Sequence, residues 1–530
     1  MTGFTPTLVG SPSVVSGRRV AHLGAWHVAW LSGVIGLALG FLLVVLQFEI
    51  VGGAVAVLGL APLFVTLDRQ TTPGLFPGCC TLGYLQHALG YAIGPLGYLA
   101  IDGRVTGKEQ GAFALAQWGG VLALLVFAVC YYPVFRLVSG KKADRSKHQL
   151  QSRSEYQIRH FWMLLLPVSA LIVVYGFASG VNNRLSPASS PSAISSTLFG
   201  SFSLIPQAMF FFLGYAAAKS SRTFAIWVSL FATYSIANFL DGTRGASAWA
   251  LLYSISGMYL GGVKVRRLLV PLCLYTAAFV PLANVLVSYR GAYVGTNSLS
   301  DRWAGITTSF REFQTNWSHG DEKGVEKFLY GVTAHVVDRI FLLVPDSVPF
   351  AGFAGMENIG YSLIPRVVAP NRPDPDDPNG LAIQYGAANA GTTGSYVPAV
   401  GDGYRRFGWP GIVLLYAWLA AVWATWMGWS WRRKQRLHAL SMAFILVIMA
   451  PGIWSTTLPM SFYLLLWIFP KYLAFFWVAN KLHGYLWESY TSHVGRTAAR
   501  RWGPRSGAVP GSVAAAGVSP SPALPMIPDS

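Results

Sequence analysis

The sequence has little charge and little cysteine for its length. Asp, Glu, Lys and Arg make up only 11% of its 530 residues, whereas soluble domains carry about 25%. The four cysteines lie in or beside apolar runs and lack the spacing of metal ligands, so neither a disulfide framework nor a zinc site is indicated. A soluble globule of this size would have too few polar residues to cover its surface. The composition is instead 53% hydrophobic with a mean hydropathy of +0.45, which predicts a polytopic membrane protein.

Long hydrophobic runs recur through most of the chain. A helix needs about 20 mostly apolar residues to cross the hydrocarbon of a bilayer, and its backbone polar groups are then satisfied internally. We therefore predict an all-α polytopic membrane protein with about twelve spans. The predicted spans are 24–46, 51–67, 82–101, 114–138, 161–180, 198–218, 223–240, 246–262, 268–286, 410–429, 437–453 and 459–480.

Basic residues predict how these spans are oriented. With both termini in the cytoplasm, 24 Lys and Arg residues lie in cytoplasmic segments and 14 in outer segments, ten of the latter in one long loop. Short loops rich in Lys and Arg stay on the cytoplasmic side of a membrane, which supports this orientation. The net charge of +18 then reflects topology and contact with anionic lipid, and it does not indicate nucleic-acid binding.

One outer segment is unusually long. About 120 residues separate the ninth and tenth predicted spans, and they are rich in aromatic side chains. Structureless loops beyond about 15 residues are uncommon, so we predict that this segment folds as an extracytoplasmic cap. The tail from about 503 is rich in Pro, Ser, Ala and Gly and is predicted to be disordered. The predicted organisation is a cytoplasmic segment (1–23), nine spans (24–286), the cap (287–409), three spans (410–480) and a cytoplasmic tail (481–530).

Within the predicted cap, 328–345 has the periodicity of an amphipathic helix. His335, Asp338 and Arg339 fall on one face at spacings of three and four residues. Such a helix would lie on the outer membrane surface or cover a cavity, and the alternative is a solvated face with an ion pair. The Asp- and Pro-rich stretch at 364–386 offers carboxylates to a divalent cation but matches no calcium-loop spacing, so we predict no metal site.

Arginines occupy special positions at the predicted outer ends of spans. Arg244 lies in the DGTRG turn, Arg290 follows the ninth span, and Arg405 and Arg406 lie in GDGYRRFGWPG before the tenth span. Guanidinium groups suit phosphate, because their planar fork donates two parallel hydrogen bonds and stays charged. These helix ends would form one phosphate site if they converge. The alternative for each arginine is snorkelling to lipid headgroups.

The layout and these motifs resemble the bacterial O-antigen polymerase family, whose members polymerise oligosaccharide repeat units. The resemblance rests on about a dozen spans, a large outer loop late in the chain, the Gly-x-Arg-Gly turn at Gly242–Gly245 and the segment Gly401–Gly408 that leads into a span. The IPRVVAPNRP segment fits the same pattern. The resemblance covers most of the chain in layout and about 50 residues in motif. It implies a multi-pass protein of the bacterial cytoplasmic membrane that joins lipid-linked oligosaccharides on the outer face without a cofactor.

The resemblance also implies a set of substrate-binding residues. The family's cavity arginines map onto Arg244 and Arg290, and less closely onto Arg339 and Arg405. The implied donor is a polyprenyl-pyrophosphate-linked oligosaccharide, and we expect these arginines and Tyr404 to bind its pyrophosphate and glycan. The other implied partners are membrane lipid, a chain-length regulator and a flippase.

Attack of a sugar hydroxyl on such a donor requires a base. Asp402 is the first candidate because it lies beside Arg405 and Arg406 in the sequence. His335 and Asp338 are the alternatives. Asp402 is equally consistent with a turn or capping residue, since GDG is ordinary turn chemistry.

Two other functions remain open from the sequence. A flippase for the same lipid-linked oligosaccharide fits twelve spans, although the long outer loop and the shortage of ionisable groups within the spans argue against it. A ligase that attaches a finished glycan to another acceptor would use nearly the same layout and chemistry.

Overall fold

All the regular secondary structure that the computed structural model describes is helical. The described residues are 17–71, 76–102, 110–140, 152–179, 202–241, 245–292, 299–318, 335–364, 368–369, 381, 383–386, 397–432, 447, 450–452 and 456–501. No strand occurs among them. The prediction of an all-α fold is confirmed for this part of the chain.

The described helices range from 5 to 33 residues in length. In the first half they are α1 (Gly17–Val45), α2 (Glu49–Gly59), α3 (Ala61–Thr71), α4 (Cys79–Ala88), α5 (Gly94–Asp102), α6 (Gln110–Ser139), α7 (Ser152–Ser179), α8 (Ile205–Ala217) and α9 (Ser221–Leu240). In the second half they are α10 (Gly245–Leu260), α11 (Val265–Ala292), α12 (Leu299–Ser318), α13 (His335–Leu343), α14 (Asn358–Ser362), α15 (Ala399–Phe407), α16 (Trp409–Arg432), α17 (Leu458–Tyr463) and α18 (Phe469–Arg501). Two π-helical turns, Leu89–Ile93 and Leu464–Ile468, join α4 to α5 and α17 to α18.

Seven segments of the described residues are long and apolar enough to cross a membrane. They are Gly24–Val45, Glu49–Thr71, Gln110–Ser139, Ile158–Gly176, Ser221–Leu240, Trp409–Trp429 and Leu458–Leu486. Each overlaps a predicted span, and α8 is a further, shorter apolar helix. The chain is therefore a helical membrane protein. The count of twelve spans stays a prediction, and most of the predicted span at 437–453 lies outside the described residues.

Glycines let the first two spanning segments pack closely. A Cβ built on Gly36 of α1 would lie 2.7 Å from the Cα of Gly59 in α2. A Cβ on Gly40 would lie 2.6 Å from the carbonyl oxygen of Gly52. Small residues permit such close approach between helices in a membrane, where association depends on packing. At these glycines α1 and α2 approach each other through main-chain atoms.

Helix α6 lies at the centre of the helices that carry the candidate site. It packs against α2, α3, α13 and α16. The amide nitrogen of Gln117, in α6, donates to the carbonyl oxygen of Tyr91 at 2.6 Å and to that of Ile50 at 3.3 Å. Tyr91 belongs to the π-helical turn Leu89–Ile93, and turns of this kind are frequent at functional sites.

Segments predicted to lie on one side of the membrane meet in the structure. The Tyr289 hydroxyl donates to the carbonyl oxygen of Leu240 at 3.3 Å, between two predicted outer ends. At two predicted cytoplasmic ends, a Cβ on Gly428 would lie 2.9 Å from the Cβ of Val138. The alternation of the spans stays a prediction. The assignment of the outer side stays a prediction from charge.

Candidate functional site

The segment that precedes the tenth predicted span folds as a helix followed by a tight turn. Helix α15 ends at Phe407, and α16 begins at Trp409 after Gly408, whose φ of 66° lies in the left-handed region that favours glycine. A Cβ on Gly403 would lie 2.9 Å from the backbone of α16, so the two helices touch through main-chain atoms. The glycines of GDGYRRFGWPG therefore build a compact corner that buries the polar side chains between them.

Asp402 is fully buried in this corner and is surrounded by hydrogen-bond donors. Its Oδ1 lies 2.6 Å from Nη2 of Arg405, and Nε of Arg406 donates to its Oδ2 at 3.0 Å. The backbone N–H of Leu458, the first residue of α17, donates to the same Oδ2 at 2.7 Å. The carboxylate therefore closes the N-terminus of α17, where unpaired N–H groups favour a negative charge.

This geometry favours a structural role for Asp402 over the predicted role of catalytic base. A general base needs hydrogen-bond reach to the proton that it removes. Both carboxylate oxygens of Asp402 already accept hydrogen bonds, from Arg405, Arg406 and Leu458 together. The alternative of a capping residue agrees with the structure, although the helix that Asp402 caps is α17, which follows much later in the chain.

The two arginines carry one more charge than Asp402 balances. Arg405 and Arg406 are 5% and 2% exposed, and buried charges are normally paired and hydrogen-bonded. Nε of Arg405 and Nη2 of Arg406 are buried and have no hydrogen-bond partner among the described residues. The cluster thus presents a positive charge and two N–H donors that an anion would satisfy.

Arg406 also holds an earlier segment of the predicted cap. Its Nη1 donates to the carbonyl oxygens of Gly352 and Ala354, both at 2.9 Å. The N–H of Ala351 donates in turn to the carbonyl oxygen of Arg405 at 2.8 Å. The 351–354 segment is therefore fixed against the end of α15, beside the arginines.

Asp338 is a second buried carboxyl group among the predicted catalytic residues. It lies in α13. This helix confirms the predicted helix at 328–345 over 335–343, but it ends two residues earlier than predicted, and 328–334 lie outside the described residues. Asp338 is 8% exposed, so the alternative of a solvated polar face is wrong for this residue. The N–H of Arg339 donates to its Oδ1 at 2.8 Å.

The environment of Asp338 suits proton transfer. Burial raises the pKa of its carboxyl to about 7, although the N–H and the charge of Arg339 act in the opposite direction. A base works best when its pKa lies near the pH at which it operates. Asp338 therefore meets the requirement for a base more closely than Asp402, whose oxygens are occupied by donors.

Tyr404 joins α13 to α15. Its ring stacks on Phe341 with the ring centroids 3.8 Å apart and an interplanar angle of 13°. Trp409 packs edge-on against both rings, at 5.5 and 5.9 Å. Because Asp338 lies one turn before Phe341 on α13, this stack fixes the carboxyl relative to the arginines of α15. The predicted contact of Tyr404 with glycan stays a prediction.

The remaining predicted site residues lie elsewhere or outside the described residues. Arg339 is half-buried on α13. Arg290 lies in the last turn of α11, but its side chain and that of His335 are outside the described residues, as is the whole of Arg244. Their roles therefore stay predictions.

A second buried ion pair lies where α9 ends and α12 begins. Nη1 of Arg302 is 2.8 Å from Oδ1 of Asp241, and both side chains are buried. Burial raises the pKa of Asp241 to about 6, while the charge of Arg302 acts in the opposite direction. The hydrogen bond from Tyr289 to Leu240 brings the end of α11, including the backbone of Arg290, to the same helix end. The Gly-x-Arg-Gly motif follows Asp241 in the sequence, and 242–244 lie outside the described residues.

Sequence reasoning missed Arg302. In the structure Arg302 shares the buried face of α12 with Ser309, two helical turns later, and each residue is 1% exposed. An arginine on the buried face of a helix needs an acidic partner. Its partner, Asp241, is also the residue that opens the DGTRG motif.

The described residues contain no group of three or more His, Cys, Asp or Glu side chains that could hold a metal ion. The chemistry that these residues offer comes from carboxyl, guanidinium and hydroxyl groups. The resemblance to the O-antigen polymerases rests on motifs and layout, and it stays a hypothesis. The chain matches no family model, no curated protein and no solved structure.

Proposed function

We propose that this protein is a polymerase that joins polyprenyl-pyrophosphate-linked oligosaccharide units on the outer face of a bacterial cytoplasmic membrane. The proposal is carried by the buried pair Arg405 and Arg406, which share the single carboxylate of Asp402 next to the start of an apolar spanning segment. A positive site with spare N–H donors suits an anionic head, and the adjacent span suits a membrane-embedded tail. A lipid pyrophosphate combines these two properties.

The guanidinium groups supply the electrostatics of the proposed reaction. Negative charge develops on the pyrophosphate oxygen as its bond to the anomeric carbon breaks. Hydrogen-bond donors that are already oriented in a buried site stabilise such charge strongly. Asp402 holds both guanidinium groups in place before a substrate binds, so little reorganisation is needed at the moment of reaction.

Asp338 supplies the base in this proposal. The attacking sugar hydroxyl gives its proton to the carboxylate, and its oxygen forms a bond to the anomeric carbon of the donor. The bond from that carbon to the pyrophosphate oxygen breaks, polyprenyl pyrophosphate leaves with the electron pair, and the proton passes from Asp338 to solvent. Tyr385 packs against Val336 and Ile340 of α13 and hydrogen-bonds to Arg405, so the base and the arginines belong to one packed unit.

The proposed architecture has twelve spans, cytoplasmic termini and a cap at 287–409. Asp338 and the Asp402 cluster both fall within segments that the charge asymmetry assigns to the outer side. The contact between Asp402 and the start of α17 is consistent with this, because both lie at predicted outer ends. The polymer would then grow where lipid-linked units are exposed after translocation.

Elongation by the purified protein tests this function. The full chain is reconstituted in vesicles with lipid-linked repeat units and no nucleotide, and polymer length is measured. Arg405→Lys and Arg406→Lys keep the charge but lose the planar fork, so elongation should fall by about tenfold, equivalent to roughly 1.4 kcal/mol of transition-state stabilisation. Arg311→Lys, at an exposed arginine of the predicted cap, is the matched control and should elongate normally.

Each possible outcome decides between functions. Movement of lipid-linked units across the vesicle without lengthening would establish a flippase. Transfer of glycan only to a different kind of acceptor would establish a ligase. Normal elongation by both lysine variants would leave polymerisation standing and remove the arginine cluster from its mechanism.

A further inference from the structure

Two exposed aromatic rings lie in a short segment that follows α13. Phe350 and Phe353 are 47% and 69% exposed. They belong to 347–356, a stretch without a charged residue, which we call the phenylalanine loop. Asp346 and Glu357, directly before and after this loop, are exposed carboxylates. Exposed apolar side chains with a polar rim mark a surface that contacts another molecule or a membrane.

The phenylalanine loop has a fixed shape. The N–H of Ala354 donates to the carbonyl oxygen of Ala351 at 2.9 Å, which closes a tight turn around Phe353. The guanidinium of Arg406 binds the carbonyl oxygens on both sides of Phe353, those of Gly352 and Ala354. The turn is therefore held against α15 with the Phe353 ring on its outside.

The start of α16 marks the boundary of the membrane near this loop. The spanning segment Trp409–Trp429 has 21 residues. A helix of that length is about 32 Å long, and the hydrocarbon of a bilayer is about 30 Å thick. The segment is thus only just long enough to cross, and Arg432 ends α16 three residues beyond it. Trp409 accordingly lies where hydrocarbon meets the headgroups, a level that tryptophan favours.

Both rings of the phenylalanine loop lie beside this boundary. A Cβ on Gly408, the residue before Trp409, would lie 3.4 Å from Cζ of Phe350. The Phe353 ring packs edge-on against that of Phe407, with the ring centroids 5.2 Å apart. The loop therefore contacts the last two residues before the spanning segment, and its rings are exposed close to the depth of the interface.

The exposed surface next to the loop belongs to the spanning segment itself. Trp409, Val413 and Leu414 of α16 are 38%, 37% and 63% exposed. Exposed apolar side chains of a spanning helix face lipid, because the bilayer surrounds the helix at that depth. The rings of the phenylalanine loop continue this apolar surface to the membrane boundary, which favours lipid as their partner over a protein.

We propose that Phe350 and Phe353 insert into the bilayer interface and anchor the phenylalanine loop to the membrane surface. Insertion removes two exposed rings from water, which is favourable in proportion to the apolar area that is transferred. The charge-free loop enters the interface without burying a charge, while the carboxylates of Asp346 and Glu357 stay in water. The ligand of this surface is membrane lipid, at the level of headgroups and upper acyl chains.

The anchor also sets the depth of the arginine cluster, a consequence that rests on the proposed function. Arg406 is bonded to the residues on either side of Phe353, so an inserted Phe353 holds the guanidinium close to the headgroups. The pyrophosphate of a lipid-linked donor lies at headgroup depth as well. The phenylalanine loop thus places Arg405 and Arg406 at the level where the donor presents its anionic head.

Spin labels on the full-length protein in lipid vesicles test the anchor. The two cysteines that are not buried, Cys130 and Cys273, are first replaced by alanine, and a single labelled cysteine then replaces Phe353 or Phe350. Both labels should be accessible to oxygen, which concentrates in hydrocarbon, and should lose accessibility to a water-soluble nickel complex. Glu357→Cys, at the polar end of the same loop, is the matched control and should show the opposite preference.

The accessibilities distinguish three surroundings of the loop. Equal access of the nickel complex to positions 353 and 357 would place the loop in water and overturn the inference. Protection of position 353 from both oxygen and nickel, with an immobilised spectrum, would show that protein covers the ring and would overturn it too. The vesicles contain no lipid-linked donor, so none of these outcomes depends on polymerisation.

The link to the donor has its own measurement. The double variant Phe350→Ser with Phe353→Ser should raise the half-saturating concentration of lipid-linked donor in elongation. Binding of inorganic pyrophosphate to the detergent-solubilised variant should stay unchanged, which also shows that the arginine cluster is folded. An unchanged half-saturating concentration would overturn the link between the loop and the donor. A wild type with lipid-inserted labels that does not elongate would refute the polymerase and leave the anchor in place.

Discussion

Substitution of Asp402 by Asn would leave the Arg405 and Arg406 guanidinium groups buried without a counter-charge. The three side chains are 0%, 6% and 2% exposed, so water cannot replace the carboxylate. Breaking a buried ion pair by removing one partner costs about 3–5 kcal/mol. The N–H of Leu458 also loses a charged acceptor at the start of α17. We expect Asp402→Asn to lower the free energy of unfolding by about 4 kcal/mol.

Thermal and denaturant unfolding of the detergent-solubilised protein measure this loss. Asp346→Asn changes an exposed aspartate of the same predicted cap and should unfold like the wild type. The double variant Asp402→Asn with Arg405→Met removes one of the uncompensated charges, so it should recover part of the lost stability. Asp338→Asn should be at least as stable as the wild type while elongation falls, because the variant loses the base but also the unfavourable burial of a carboxylate.

The reasoning would be refuted by a stable Asp402→Asn protein. If that variant unfolds like the wild type yet no longer elongates the polymer, Asp402 acts in the reaction and does not hold the arginines. The structural assignment of Asp402 and the choice of Asp338 as base would then both be wrong.

Three further predictions follow from individual sites. Elongation should rise with pH through a midpoint near 7 as Asp338 loses its proton, since burial raises the pKa of this carboxyl to about 7, and the pH–rate profile of Asp338→Asn should lack that step. A step that persists in the variant would assign the base elsewhere. Arg302→Met leaves the buried Asp241 without its partner and should lower the free energy of unfolding by about 3 kcal/mol, as measured by denaturant unfolding; unchanged stability would show that the pair is not needed. Alkaline phosphatase should be active when fused after Val325 and inactive when fused after Lys147, and the reverse pattern would overturn the topology.

The pH dependence of stability has a definite sign. Because the pKa of Asp338 is raised in the folded protein, the folded form binds this proton more tightly than the unfolded form does. The contribution of Asp338 to stability is therefore fully present below its unfolded pKa, near 4, and is lost as the pH rises through about 7. Asp241, whose pKa is raised to about 6, contributes in the same direction.

The class of this protein follows from the sequence alone. The apolar composition and the lengths of the hydrophobic runs predict spanning helices, and seven such helices are present in the described residues. This inference succeeds because a bilayer acts on each segment independently: a run of about 20 apolar residues is helical in lipid whatever its neighbours are. The sequence also indicated that arginines near Gly401–Gly408 are unusual, since GDGYRRFGWPG concentrates glycines around two adjacent charges.

The sequence does not distinguish a catalytic Asp402 from a structural one. Its position beside Arg405 and Arg406 predicts a base, but a carboxylate that accepts hydrogen bonds from those arginines occupies the same position in the chain. The sequence predicts that Asp338 lies on a polar helix face, and the folded chain buries it. Helical periodicity shows which residues share a face, but it does not show whether that face meets water or another helix.

Only the tertiary structure decided which polar groups meet. Asp402 accepts from Leu458 across 56 residues of sequence, and Arg302 pairs with Asp241 across 61. Phe341 of α13 and Ile412 of α16, which are 71 residues apart in the chain, both pack at Gly119 of α6. Hydropathy and spacing describe what each segment prefers by itself. Charge pairing, burial and the resulting pKa of a carboxyl depend on atoms from distant segments, because electrostatic and hydrogen-bond energies are set by distance in space and by the exclusion of water.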